Sequence, residues 1–210
     1  MNIAVIGASG FVGYAVTKEA LEKNHHVKAI YRRNSIPEHQ NLEQFKMTIF
    51  DQEQFKQVIK DVDVVISAYN PGYYHVDQKS RYLDAYEVIF NTVKALNKRI
   101  IVVIGATTLI QYDGELVKHG FYPKPWLHAL EGPDAVFEKY RFDKSINVTW
   151  VSPAAELIDG NKTMNYRYDT DHLIYDQNFE SRISVQDLAH AIILEAESPK
   201  YEKMRFTIAY

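Results

Sequence analysis

Asn2-Ile3-Ala4-Val5-Ile6-Gly7-Ala8-Ser9-Gly10-Phe11-Val12-Gly13 decides how this chain is read. A short apolar run with no polar alternation, Ile3 to Ile6, is the pattern of a strand buried on both faces. It stops at a glycine, and a stripe at helical spacing follows at once: Val12, Ala15, Val16 and Ala20. Strand, glycine turn and helix in that order is the context in which a G-x-x-G-x-x-G spacing acquires chemical meaning. Gly7 permits the tight turn, Gly10 removes a side chain where a pyrophosphate would meet the backbone, and Gly13 lets the helix lie close to the sheet. The free N–H groups and positive dipole end of that helix then favour phosphate. Gly7, Ser9, Gly10, Phe11 and Val12 are therefore candidate pyrophosphate-binding residues.

Outward from this segment the strand–helix alternation continues. Strands are expected at Asn2–Ile6, His26–Tyr31, Phe45–Phe50, Asp63–Ser67, Arg99–Ile104 and Asn147–Val151. Between them a long stripe through Ala85, Val88, Ile89, Thr92, Val93 and Leu96 marks a helix. Such alternation implies right-handed βαβ crossovers and an α/β, doubly wound parallel sheet, that is, a Rossmann fold. After Pro153 the pattern loosens into turns and polar–aromatic stretches. A helix restarts at Ser184, where Asp187 three residues on suggests a reciprocal capping box, and Met204–Ala209 reads as a closing strand. The expectation is one domain over residues 1–210, with a core over 1–152 and a small C-terminal cap over 153–210.

Composition narrows the function classes. The 210 residues carry a net charge of −3, which gives no electrostatic reason to expect nucleic acid or an anionic membrane as partner. There is no cysteine, so disulfides, thiolate metal sites and thiol nucleophiles are excluded. Fifteen Tyr, ten Phe and two Trp are far more aromatic surface than a disordered chain would carry. The apolar runs fall short of a membrane span, and no secretory leader precedes the first strand, so a cytoplasmic protein is expected. None of the eight histidines shows a metal-ligand spacing, and no metal site is expected.

The ends of the other strands refine the ligand. Tyr31-Arg32-Arg33 stands where an acidic residue would hold the ribose hydroxyls of NAD. Two guanidinium forks suit a 2′-phosphate instead, so NADP (as NADPH) is favoured over NAD. Ala68 and Tyr69 follow the fourth strand and should lie against the ribose or pyrophosphate. Ala106, in Gly105-Ala106-Thr107-Thr108 after the fifth strand, should sit near the nicotinamide.

The glycine spacing resembles that of the short-chain dehydrogenase/reductase superfamily, in its extended and atypical branches. Trp150-Val151-Ser152-Pro153-Ala154-Ala155, the Tyr166-to-Asp176 stretch and Ser181-Arg182-Ile183-Ser184-Val185-Gln186-Asp187 resemble more specifically the NADH-flavin reductase group, which is similar to biliverdin reductase B-type and NmrA-like proteins. The resemblance runs from Met1 to Tyr210. It implies that Asp51, after the third strand, meets the adenine, although Asp51 could equally cap the following helix. It also groups Pro153 with the cofactor-binding residues.

The resemblance also exposes what is missing. Many members use a Tyr-x-x-x-Lys pair in which lysine lowers the tyrosine pKa. Tyr140 and Lys144 have that spacing but fall at the end of a helix, just before a strand. Counting back from Pro153 leads to Tyr122, which has Trp126 rather than lysine four positions on. Thr107 or Thr108 could replace the family's catalytic serine, so Tyr122 and Thr107 are the catalytic candidates. Without a strong proton donor, ordinary carbonyl reduction is disfavoured, whereas a flavin accepts hydride at nitrogen and draws its proton from solvent. The aromatic cluster Tyr69, Tyr73, Tyr74, Phe121, Tyr122 and Trp126 offers a stacking wall for a flat flavin-like or quinone-like acceptor. His119 and His128 flank the Tyr122 loop, so either could reach the same crevice. The expected activity is an NAD(P)H-dependent reductase transferring hydride directly to such a small-molecule acceptor. The alternative is a non-catalytic NADP-binding sensor or interaction protein of NmrA-like type.

Overall fold

The computed structural model describes residues 1–72 and 76–210, and within helix Lys124–Tyr140 leaves out the side chains of residues 124–126. Eight strands form the main sheet: β1 (Asn2–Ile6), β2 (His26–Tyr31), β3 (Leu42–Lys46), β4 (Val64–Ser67), β5 (Arg99–Val103), β6 (Val148–Pro153), β8 (Arg167–Asp169) and β10 (Arg205–Ala209). Their spatial order is β3-β2-β1-β4-β5-β6-β10-β8, parallel throughout except that β8 runs antiparallel to β10. Strands β7 (Glu156–Ile158) and β9 (Arg182–Ser184) pair separately. The order reverses between β1 and β4, which is where a doubly wound sheet opens a crevice at its carboxyl edge.

Alternation within single strands assigns the two faces. Ile3 and Val5 pack into one core with Val16 and Ala20 of α1 (Phe11–Glu22) and with Leu188 and Ile192 of α5 (Val185–Glu197). Ala4 and Ile6 face the other core, beneath α2 (Gln52–Ile59), α3 (Gln78–Ala95) and α4 (Lys124–Tyr140). There Phe90 meets the Trp150 ring edge-on at 5.9 Å, and Phe137 meets it from α4 at 5.4 Å. Both faces of the central strands are therefore dry, as their unalternated sequences require.

Several strand ends shift by one residue, and two strands, β3 and β6, differ by more than that from the sequence expectation for physical reasons. Strand β3 begins at Leu42 and ends at Lys46, not Phe45–Phe50. It is an edge strand, paired from Val27↔Leu42 to Tyr31↔Lys46, so Glu43 and Gln44 can face water, and the apolar Met47–Phe50 belongs to the following turn. The sixth strand extends two residues further, to Pro153, because β10 pairs along it as far as Ile208↔Pro153. Among the described residues, no helix is long and apolar enough to cross a membrane.

The region after Pro153 is tied to the sheet through Asp187. Ser184 Oγ caps α5 by accepting from Asp187 N at 3.0 Å. The capping box is not reciprocal, because the buried Asp187 carboxylate is taken by residues 163, 164 and 210 instead of the Ser184 amide. That carboxylate accepts from Thr163 N at 2.9 Å, Met164 N at 2.8 Å, Thr163 Oγ1 at 2.7 Å and Tyr210 Oη at 2.8 Å. Burial alone would raise its pKa, but these donors outweigh burial and hold it below the ordinary value. The stabilisation is thus present at neutral pH and is lost as pH falls through the depressed value. Asp187→Ala, which takes the shared acceptor from these four part-buried donors at once, is expected to lower stability by about 2 kcal/mol in urea unfolding at pH 7. A loss below about 1 kcal/mol would show that the tie is not structural.

Candidate functional site

A cleft of about 580 Å³ opens at the switch point, within the range of roughly 300–1,000 Å³ typical of ligand and cofactor sites. Its floor is the turn between β1 and α1. Gly7 has φ +78°, and a Cβ there would lie 2.5 Å from the Ala68 carbonyl oxygen. At Gly13 a Cβ would lie 2.1 Å from the Gly7 oxygen, so α1 crosses the turn backbone on backbone. Gly10 is different. Its φ of −82° and ψ of 171° suit any residue, and a Cβ would come no nearer to the protein than 3.2 Å, at the Gly7 oxygen. The protein's own packing therefore requires glycine at 7 and 13, whereas at 10 a Cβ would need only a few tenths of an ångström of give from the Gly7 carbonyl, and the backbone there is bared to the cleft.

The start of α1 also lacks a cap. No side chain bonds its first-turn amides and no acidic residue occupies that turn. By contrast, α2 is capped by Asp51, whose carboxylate accepts from Gln54 N at 3.1 Å, and α5 by Ser184. An uncapped helix end aimed into a cleft beside a bared glycine fits a phosphate. A pyrophosphate held there by Gly10, Phe11 and Val12 is compatible with everything in the turn.

Gly7, Ser9, Gly10, Phe11, Val12, Arg32, Arg33, Ala68, Tyr69, Ala106, Tyr122 and Pro153 all line this cleft. Asp51 does not. It caps α2, and Phe50 before it lines the cleft instead. At the rim, Arg32 donates to the Asn70 carbonyl at 3.0 Å and the Pro71 carbonyl at 3.3 Å, and lies 5.9 Å from the centre of the Tyr69 ring. Arg33 makes no hydrogen bond or ion pair with the described residues, so of the two forks it is the free one.

The two catalytic candidates do not present acids to the cleft. Thr107 is fully buried and donates its hydroxyl to Asp134, so it does not line the cleft. Tyr122 does line it, but donates its phenol to the Ala155 carbonyl at 2.6 Å. Burial, reinforced by the charge of Asp134, pushes the Tyr122 pKa up to about 12, the opposite of what a proton-donating tyrosine needs. Tyr140 packs against Phe90 at 4.8 Å, far from any donor role. His119 pairs with Glu115 at 3.1 Å and His128 lies 3.6 Å from Glu131, both on the outside.

The expected aromatic wall divides. Tyr69 meets Tyr82 and Tyr86 of α3 edge-on, at 5.8 and 6.2 Å. Phe121 meets Tyr122 at 5.3 Å. Tyr73 and Tyr74 lie outside the described residues, as does the side chain of Trp126. Tyr82 and Thr48 also line the cleft and escaped the sequence reading, as did Asp134 behind it. Among the described residues no group of His, Asp and Glu could hold a metal ion.

The doubly wound sheet, glycine turn and uncapped helix end define a Rossmann-type nucleotide-binding protein. Its sequence agrees: residues 7–199 match the NAD(P)H-binding family model, and the chain belongs to that family. It is 30% identical over 215 residues to the uncharacterised Bacillus subtilis protein YwnB, spanning 99% of this chain and 98% of that one. Among solved structures, a Bacteroides thetaiotaomicron protein provisionally named an epimerase superposes with a TM-score of 0.88 at 34% identity, covering 100% and 96% of the two chains. A Streptococcus pneumoniae protein provisionally named an NADH-flavin reductase gives 0.82 at 30% identity, covering 100% and 99%.

The three glycines should separate by substitution. Gly13→Ala is expected to cost about 3 kcal/mol or more, since neither clashing atom is a movable side chain. Gly10→Ala should cost no more than about 1 kcal/mol yet weaken nucleotide binding, measured by thermal unfolding and by quenching of intrinsic fluorescence. Equal losses of stability at both positions would mean that Gly10, too, is required by packing.

Proposed function

We propose that the protein is an NADPH-dependent oxidoreductase that reduces a flat conjugated acceptor, such as a flavin or quinone, by direct hydride transfer. The observation that carries this reading is the pairing of a phosphate-ready helix end with a cleft whose candidate acid, Tyr122, spends its hydroxyl on the Ala155 carbonyl. When bound, the nicotinamide supplies the hydride. The chain's own residues do the rest. Gly10 and the first turn of α1 hold the pyrophosphate, Arg33 with Arg32 meets the 2′-phosphate, and Ala106 and Pro153 border the nicotinamide end. Phe50 is better placed than the Asp51 side chain to cover the adenine, since it lines the cleft. Tyr122 and Tyr69 offer apolar ring surface to the acceptor; the Tyr122 hydroxyl is spent on Ala155, and burial makes the Tyr69 phenol a weaker acid than usual. Orientation then carries most of the rate, and the acceptor's proton comes from water. The provisional name of the Streptococcus pneumoniae relative supports a flavin. One domain with its cap over 153–210, working in the cytoplasm, belongs to the same proposal.

The test is NADPH oxidation with FMN, riboflavin and a benzoquinone as acceptors. Turnover above the free-solution rate with at least one is expected. Nucleotide binding with no turnover on any of them would favour a non-catalytic NADP sensor instead. For the cofactor, Arg33→Ala should weaken NADPH by about tenfold or more, the size of a lost charge-assisted hydrogen bond, and leave NADH nearly unchanged. Equal wild-type affinities for NADPH and NADH would overturn the preference.

A further inference from the structure

One half-buried acid next to the cleft, Asp134, has no part in the scheme above. Asp134 lies on α4, directly after the cleft-lining Pro133, and its carboxylate accepts the Thr107 hydroxyl. That hydroxyl is one layer behind the cleft wall: a Cβ built on Gly105, which lines the cleft, would lie 3.3 Å from Thr107 Oγ1. On the far side the Thr107 carbonyl accepts from Lys118 N at 3.0 Å, so the β5–α4 loop is held through Thr107 at both ends.

The groups around Asp134 are few. Lys118, from the short 3₁₀ turn Val117–His119, is the cation that favours its charge, but Lys118 is shared with Glu138 at 3.0 Å. Glu131 and Glu138 of its own helix oppose ionisation. The Tyr122 phenol feels its charge from the cleft side. From α3, the ring of Tyr82 packs on Gly132, and from β10, Arg205 lies 4.8 Å from the Phe137 ring with its charge taken up by Asp171. Burial dominates and raises the Asp134 pKa to about 6, against the opposing Thr107 bond. A carboxyl whose folded value lies above its unfolded one destabilises the fold once ionised, progressively as pH rises from about 4 through 6. An ionised Asp134 at neutral pH is therefore a cost to stability, at the one end of the cleft where a positive charge would develop.

We propose that Asp134 is a positioning residue for the nicotinamide end of the cleft: through Thr107 it holds the Gly105–Ala106 wall, and its carboxylate favours the oxidised, cationic ring over the reduced, neutral one. The inference rests on the dinucleotide reading above. Loss of hydride turns a neutral dihydronicotinamide into a cation, so a fixed anion behind the wall stabilises the charge as it forms and needs no reorganisation at that moment. It also explains how a site without an aimed proton donor promotes hydride release, the half of the reaction the protein can influence.

The affinity ratio of NADP⁺ to NADPH isolates this effect, because the adenine, pyrophosphate and 2′-phosphate are common to both. In the wild-type chain NADP⁺ should gain about tenfold relative to NADPH between pH 5 and pH 8, the size of one charge interaction across the wall. Asp134→Asn should make the ratio flat over that range, lower it about tenfold at pH 8, and leave NADPH affinity within about twofold. Thr107→Val removes the bond and keeps the charge, so it should weaken both forms by a similar factor and leave the ratio pH-dependent. If Asp134→Asn weakens both forms equally and the ratio still rises with pH, Asp134 is only structural and the inference is overturned. If the wild-type chain binds neither form, the dinucleotide reading fails, and this inference with it.

Discussion

The backbone-on-backbone contact between Gly13 and Gly7 is the constraint on which the rest of this molecule depends. With 2.1 Å between the Gly7 oxygen and the place a Cβ would occupy, any side chain at 13 would lift α1 away from the turn. Because the contact is made, α1 begins at the carboxyl end of β1, directly over the reversal of strand order. Its first amides then point into the crevice rather than at a neighbouring loop. The same seating lets Val16 and Ala20 reach the core shared with α5. One steric fact thus fixes both the packing of a layer and the location of the anion-ready helix end.

That fact was legible in the sequence because it is local. Strand, glycines and helix lie within a dozen residues, and each step has a physical signature: an unalternated apolar run, a positive φ at Gly7, a stripe of period 3.6. The buried strands were legible for the same reason. Edge strand β3 was not, because a strand half in water need not be apolar, and Glu43 and Gln44 hid it while Met47–Phe50 mimicked it. Ser184 was correctly read as a cap. The role of Asp187 was not, since its partners at 163, 164 and 210 come from other parts of the chain. Long-range satisfaction of a carboxylate leaves no pattern along the sequence.

The site divides along the same line. The glycine loop, the two arginines and the ends of β4 and β5 converge on one cleft, as strand-end logic required. Where the directions of individual hydroxyls mattered, spacing was uninformative. Thr107 and Tyr122 are close to where their positions suggested, yet both spend their protons on the protein, one on Asp134 and one on Ala155. Asp134 carried a faint signal in Leu130-Glu131-Gly132-Pro133-Asp134-Ala135-Val136-Phe137: a carboxylate two positions before a pair of core residues, after a Gly-Pro pair inside a helix. Gly132 is explained by the Tyr82 ring, which comes within 2.1 Å of where a Cβ would stand. The acid is explained by no packing requirement.

The proposed hydride transfer separates into two electrostatic problems, which this fold would address unequally. On the donor side positive charge would develop on a ring held against the Gly105–Ala106 wall, and the half-buried carboxylate of Asp134 one layer behind it can be preorganised at a modest cost in stability. On the acceptor side negative charge would develop on a molecule that must come and go, and the tyrosine at the expected donor position, Tyr122, has its hydroxyl committed to Ala155. An acceptor able to bear that charge itself, by delocalising it over a conjugated ring until water protonates it, removes the need for that donor. On the proposed reading, the committed hydroxyls of Thr107 and Tyr122 and the carboxylate of Asp134 favour an acceptor of that kind.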